Sequence, residues 1–304
     1  MKTELNWMRL PKEYTNGRFL ILPIAYEKDV TYGEGAAKGA EEIIRASEHL
    51  EYYDEQFDCE PFLQGIGLAE TITAEIPEEM IDKVAEKIVR TKDKFVIGLG
   101  GDHSITIGLV KGHEKILSEE GEEFSVIQFD AHADFRDFWN NSTLNHACVA
   151  KQVSKKHDLV LIGIRSMDID EKKQIELHNQ EIPESQKNQD GKEDQEEKHN
   201  VYLIKAYDYS LEKLKEILPR LKDKIYITID VDVFDPSFIR NTGTPEPGGL
   251  NWQEVIEVLK LIFQHKKVIG VDITEFAPDE NKEYKSEAYS LAKLVYKIMA
   301  LQSF

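Results

Sequence analysis

Cysteine is nearly absent from this chain: Cys59 and Cys148 are the two in 304 residues. That excludes a disulfide framework and makes a reduced compartment the expectation, with Cys148 a small buried filler rather than a nucleophile. Long apolar runs are missing too. No stretch of about 18 apolar residues exists, so no membrane-spanning helix is expected. The opening MKTELNWMRLPKEYTNGR lacks the apolar segment of a signal peptide, and a cytoplasmic location is expected. Positive charge is in short supply: 38 Lys and Arg face 57 Asp and Glu, for a formal net charge of −19. Such a balance repels nucleic acid and anionic membranes and mildly favours small cations as ligands. No internal repeat and no composition shift divides the chain, so residues 1–304 read as one domain.

What is present is a hydrophobic fraction of 41%, enough for a large core, arranged in short apolar runs. FLILPIAY (19–26), KFVIGLG (94–100), FSVIQFD (124–130), LVLIGI (159–164), VYLI (201–204), KIYITID (224–230) and KVIGVDI (267–273) read as strands. Segments of helical period lie between most of them. In PEEMIDKVAEKIVRTK, Met80, Val84, Ile88 and Val89 are expected on one face, with Pro77 near the start. LEKLKEILPRLK and NWQEVIEVLKLIFQH read the same way. Continuous apolar strands alternating with helices predict an α/β fold, a parallel sheet covered on both faces. The 179–200 segment, NQEIPESQKNQDGKEDQEEKHN, is almost wholly polar and reads as a surface insertion.

Three of the apolar runs end in chemistry. VIQFDAHADFRD stops in two carboxylates and an imidazole. Strand geometry, continued past Asp130, puts Asp130, His132 and Asp134 on one side, with Ala131 and Ala133 turned away. IYITIDVDVFDP ends with Asp230 and Asp232 on one face, and FVIGLGGDHS ends in a glycine turn that delivers His103. Ligands in open parallel sheets sit beyond the carboxyl ends of the strands, the edge that all three clusters occupy. Four carboxylates crowded there repel one another unless divalent cations join them, and four negative charges balance two such ions. Oxygen-rich ligands with one imidazole per ion fit Mn2+ better than a thiolate-loving metal; zinc, cobalt and iron stay open. Asp137 and Asp235 also fit turn or cap roles, Asp102 a supporting role, and His113, His157, His178, His199 and His265 are expected at the surface.

In order and spacing, GGDHS, DAHAD, IDVDVFDP with TGTPEPGGL, and DITEFAP resemble the ureohydrolase family of arginases and agmatinases. YGEGAAKGAEEIIRASEHLEYYD resembles the agmatinase branch, and the likeness runs from about residue 20 to the C-terminus. The resemblance implies a three-layer α/β/α sandwich around an eight-stranded, mostly parallel sheet, and a homo-oligomer, trimer or hexamer. It implies two Mn2+ ions per subunit, one held by His103, Asp130, Asp134 and Asp230, the other by Asp130, His132, Asp230 and Asp232. It further implies hydrolysis of a guanidino group to an amine and urea by a hydroxide bridging the ions, with Glu275 holding the guanidinium and His146 passing the proton to the leaving amine. SFIRN, before TGTPE, departs from the Pro-Gly pair common in the family.

Agmatine, giving putrescine, is the expected substrate. Phe135, Phe138 and Trp139 suit an apolar wall for its methylenes or, equally, core or subunit contacts; Asp137 suits its distal ammonium, while Arg136 is expected to point elsewhere. Arginine, guanidinobutyrate and aminopropylagmatine are the alternatives. A phosphoesterase would call for a basic cluster near the metals, which the motifs lack. A catalytically silent metal-bound scaffold is the remaining alternative.

Overall fold

In the computed structural model the described residues are 5–179, 199–282 and 285–303. The polar insertion therefore lies outside them, apart from its flanking Asn179, His199 and Asn200.

Eight strands form one sheet: β1 (Phe19–Pro23), β2 (Ile66–Leu68), β3 (Phe95–Leu99), β4 (Phe124–Phe129), β5 (Leu159–Ile164), β6 (Val201–Lys205), β7 (Lys224–Asp230) and β8 (Lys267–Thr274). Their order is β2-β1-β3-β8-β7-β4-β5-β6, and every pairing is parallel. All seven apolar runs are strands. The eighth, Ile66–Leu68, carries three residues on the sheet edge, too short for a periodic signal.

The helices are α1 (Gly39–Ser47), α2 (Pro77–Arg90), α3 (Ile105–Glu120), α4 (Val149–Val153), α5 (Ile169–Asn179), α6 (Leu211–Ile217), α7 (Trp252–His265) and α8 (Ser286–Gln302). Two apolar cores result. Ile43 of α1, Leu214 of α6, Leu259 of α7 and Leu294 of α8 pack in one; Val84 of α2, Leu109 of α3, Val149 of α4 and Ile175 of α5 pack in the other. This is the three-layer α/β/α sandwich expected from the resemblance. Central strands such as β4 are buried along their whole length, because helices cover both faces.

Local chemistry explains the helix ends. Pro77 opens α2, where its missing N–H costs nothing. Asn251 and Glu254 form a reciprocal capping box at the start of α7. Pro219 ends the α6 periodicity, and Leu218–Arg220 tightens into a 3-10 turn. On α2, Met80, Val84 and Ile88 are buried as expected, whereas Val89 is exposed and Ile81 and Ala85 complete the buried stripe. Two of the histidines expected at the surface are interior. His157 lies between the Phe124 carbonyl (3.0 Å) and Glu114 (2.9 Å), and His113 is buried against the Tyr226 ring. Flanking polar residues suggested exposure, but the imidazoles point inward. Among the described residues no helix is long and apolar enough to cross a membrane.

Candidate metal centre

The sheet order sets β3, β8, β7 and β4 side by side at its middle, and their carboxyl ends carry His103, Glu275, Asp230 and Asp130. Regular strand alternation stops at Asp130 and Asp230; beyond them the local device is a turn, not the continued pleat. The Asp130 carboxylate accepts the His132 backbone N–H at 2.6 Å, and Asp230 accepts that of Asp232 at 2.9 Å. Asp102 does the same for Ser104 at 2.9 Å. Each is an Asx-type turn in which the aspartate satisfies the backbone two residues on. The DAHAD segment then bends at Asp134, whose φ of 48° is left-handed, and this folds its carboxylate back toward His103. Gly101 admits the turn on the β3 side: a Cβ there would lie 1.8 Å from the Tyr26 carbonyl.

The result is two adjoining donor sets. His103 Nδ1 lies 3.1 Å from Asp130 Oδ2, 3.0 Å from Asp134 Oδ2 and 3.5 Å from Asp230 Oδ2. His132 Nδ1 lies 2.8 Å from Asp232 Oδ2 and 3.8 Å from Asp130 Oδ1. Ligand atoms about 2.1 Å from one octahedral ion stand about 3 Å apart, so these spacings suit a shared cation. The two oxygens of Asp130 face two different imidazoles, so Asp130 would be shared between two ions held there. His103, Asp130 and Asp230 form one metal-competent trio, and Asp130, His132 and Asp232 the other.

Electrostatics give the test of fit. Asp130 and Asp232 are buried, as are Asp134 and Asp230, and among the described residues their ion pairs are with the two imidazoles alone. Burial, then Asp134 and Asp232, pushes Asp130 up to about 7. Burial, then Asp232 and Asp130, raises Asp230 well above the carboxylate range. Although burial opposes its charged form, the neighbouring aspartates hold His132 up to about 10. Four buried carboxylates faced by two imidazoles lack positive charge, and divalent cations would supply it. The cluster is a binuclear metal-binding site.

Above it opens a cavity of about 300 Å³, walled by Thr31, His132, Asp134, Arg136, Trp139, His146, Asp168, Glu171, Glu246 and Glu275 among others. Glu275 follows β8 in a left-handed conformation (φ 64°), and its carboxylate accepts the His103 backbone N–H at 2.7 Å. Such strain in a non-glycine residue is kept where surrounding structure enforces it. His146 Nε2 stands 3.0 Å from the Thr31 hydroxyl.

The family model described as the arginase family matches residues 18–301 of this chain. The chain belongs to the arginase family. The chain is 33% identical to an N(1)-aminopropylagmatine ureohydrolase of Thermus thermophilus over 95% of its length and 92% of that protein. It is 30% identical to an agmatinase of Pyrococcus horikoshii over 97% and 96% of the two chains. The crystal structure of an agmatine ureohydrolase of Thermoplasma volcanium superposes with a TM-score of 0.76 at 26% identity, covering 95% of this chain and 91% of that one. This arginase-family chain is thus a metal-dependent hydrolase of the ureohydrolase superfamily.

The cavity walls differ from expectation at several positions. Asp137 is not among the lining residues; its carboxylate accepts from Gln174 (2.9 Å) and lies 3.6 Å from Lys151. Arg136, expected to point elsewhere, does line the cavity, stacked over Trp139 at 4.7 Å and 3.7 Å from Glu171. Phe135 is core and Phe138 is 65% exposed, so of the three aromatics Trp139 alone faces the cavity. The left-handed bend at Asp134 sends the residues that follow it in different directions.

Sequence reasoning passed over Arg165 and Gln128. Arg165 ties the metal loop to the TPEP loop: its guanidinium donates to the carbonyls of Asp232 (2.6 Å), Glu246 (2.8 Å) and Gly163 (3.0 Å). Gln128 Nε2 donates to Asp130 at 2.8 Å. Gln128 precedes Asp130 by two residues, so strand alternation alone was signal enough; Arg165, in a loop, carried none.

Proposed function

We propose that this protein hydrolyses a guanidino compound with a cationic tail to urea and an amine, with N(1)-aminopropylagmatine ahead of agmatine as substrate. The observation that carries the reading is the cluster of His103, Asp130, His132, Asp134, Asp230 and Asp232 at the floor of an acid-walled cavity, with Glu275 beside it. Its oxygen-rich composition suits Mn2+. Two divalent ions bound there supply activated water as the nucleophile at neutral pH.

The remaining work falls to the chain. Glu275 accepts paired N–H bonds from the guanidinium, which keeps a cationic group beside a cationic centre. His146, on the cavity wall, donates a proton to the departing amine nitrogen. Asp168, Glu171 and Glu246 set negative charge along the path of the tail. Arg136 faces Glu171 and offsets that one carboxylate, which leaves Asp168 and Glu246 to act on the tail. A tail with two amines uses that acidic wall more fully than one with a single amine, and four relatives 30 to 33% identical to this chain carry the name aminopropylagmatine ureohydrolase. Agmatine is the second reading, favoured by the Pyrococcus horikoshii relative. Family membership makes a homo-oligomer, trimer or hexamer, part of the proposal.

Urea release from Mn2+-loaded protein should be measured with aminopropylagmatine, agmatine, guanidinobutyrate and arginine, with phosphate release from a phosphoester as control. The highest kcat/KM is expected for aminopropylagmatine. Preference for arginine or guanidinobutyrate would refute the cationic-tail assignment, and absence of urea from every compound would refute the catalytic one.

A further inference from the structure

Behind the metal centre lies a buried polar chain that the chemistry above does not use. In the β7–β8 pairing Thr228 stands opposite Asp272, and Tyr226 is two residues away on the same face. Asp272 is wholly buried and receives three hydroxyls: Thr228 at 2.6 Å on Oδ1, Tyr226 at 2.7 Å on Oδ2, and Thr106 of α3 at 3.1 Å. Thr228 Oγ1 also lies 2.9 Å from Nε2 of His103. Gly98 on β3 leaves little room beside Asp272: a Cβ there would lie 3.1 Å from the Asp272 Cβ and 2.8 Å from Leu109 Cδ1.

The donor count gives this chain a direction. A threonine hydroxyl has one proton. At 2.6 Å from a carboxylate oxygen, that proton goes to Asp272. Thr228 is then an acceptor toward His103, so the contact at Nε2 is an N–H donated by the imidazole. With a proton held at Nε2, the nitrogen left to offer a lone pair is Nδ1, the atom that faces Asp130, Asp134 and Asp230.

We propose that Asp272 and Thr228 are positioning residues that hold the Nε2 proton and ring orientation of His103, so that Nδ1 is presented to one of the two metal sites. The device rests on the two-metal reading and adds to it a polarity running from the sheet interior to a single ligand. Among the described residues His132 has no counterpart: its Nε2 faces Glu246 at 3.9 Å, beyond hydrogen-bond reach, and its side chain is 24% exposed. The effect is therefore confined to the site that uses His103.

Two substitutions at one position separate hydrogen bonding from packing. Thr228→Ser keeps the hydroxyl and loses a methyl; Thr228→Val keeps the shape and loses the hydroxyl. Mn2+ binding to metal-stripped protein should be followed by calorimetric titration, with thermal unfolding of the stripped proteins alongside. If the proposal holds, wild type binds two ions, Thr228→Ser stays close to it, and Thr228→Val weakens one of the two by roughly 10- to 100-fold, as loss of a ligand's outer partner does. Asp272→Asn should act in the same direction, because an amide offers one accepting oxygen to three hydroxyls. A packing role reverses the order, with Ser impaired and Val close to wild type, and that order overturns the proposal. Equal affinities in all variants overturn it as well. Wild-type protein that binds no Mn2+ removes the metal reading itself, and this inference with it.

Discussion

His113 offers a test of stability against pH that can be worked through in advance. It lies in α3, 7% exposed, with its ring 5.3 Å from that of Tyr226. Among the described residues its Nε2 has no hydrogen-bond partner, and a Cβ on Gly270 would lie 2.7 Å from that atom. Burial alone pushes the imidazole down from 6.5 to about 4. The folded protein thus keeps His113 neutral where the unfolded chain takes up a proton. The sign follows: the contribution is fully present above pH 6.5, is lost progressively as pH falls, and is gone below about 4. Over that whole window it amounts to about 3 kcal/mol, and between about pH 7.5 and about pH 5 the two titration curves give about 2 kcal/mol. His113→Met, an apolar residue that adapts to irregular space, removes the titration. Urea unfolding of chelator-treated protein at the two pH values, wild type against variant, measures the difference. Wild type should lose about 2 kcal/mol more than the variant on acidification. Equal losses would mean that His113 is protonated in the folded protein, and the reasoning from burial would be refuted.

Glu275→Gln should lower kcat/KM for the guanidino substrate by roughly 100-fold, the loss of about 2–3 kcal/mol from charge-assisted hydrogen bonds, while Mn2+ stoichiometry stays unchanged; a stoichiometry that falls with activity would instead make Glu275 part of the metal centre. Asp137→Asn should leave KM within about twofold of wild type, because its carboxylate is already engaged by Gln174 and Lys151. A raised KM would return Asp137 to the substrate path. Removing the metals with a chelator should lower the thermal midpoint, each ion contributing about 2.7 kcal/mol at a free concentration of about 100 times its Kd. An unchanged midpoint in a calorimetric scan would show that the buried carboxylates need no cations to stay folded.

Much of the architecture was legible because it is written in local periodicity. Seven apolar runs with helical segments between them suffice for a parallel sheet, and edge strand β2 escaped because three residues cannot display a period. The metal ligands were legible for a different reason: aspartate and histidine at the end of an apolar strand are costly unless paired, so each cluster announces itself. The rim was not legible. Asp137, Phe138 and Trp139 lie beyond the strand end at Phe129 and the left-handed bend at Asp134, where strand alternation no longer predicts side-chain direction. The buried histidines failed for a related reason, since the charge of sequence neighbours says little about where one ring of a helix or loop points.

By itself, the sequence determined which atoms are available: imidazoles and carboxylates at strand ends, glycines where the backbone must pass closely, and an acidic excess. Only the tertiary structure decided which of them meet. The order β3-β8-β7-β4 brings together residues more than a hundred positions apart, and the register of β7 against β8 sets Thr228 beside Asp272. Strand order depends on long-range packing of helices on both faces of the sheet, and no local pattern in the chain encodes it. A turn can be read from the few residues that make it, whereas a metal centre assembled from three strands exists only once the sheet has brought them together.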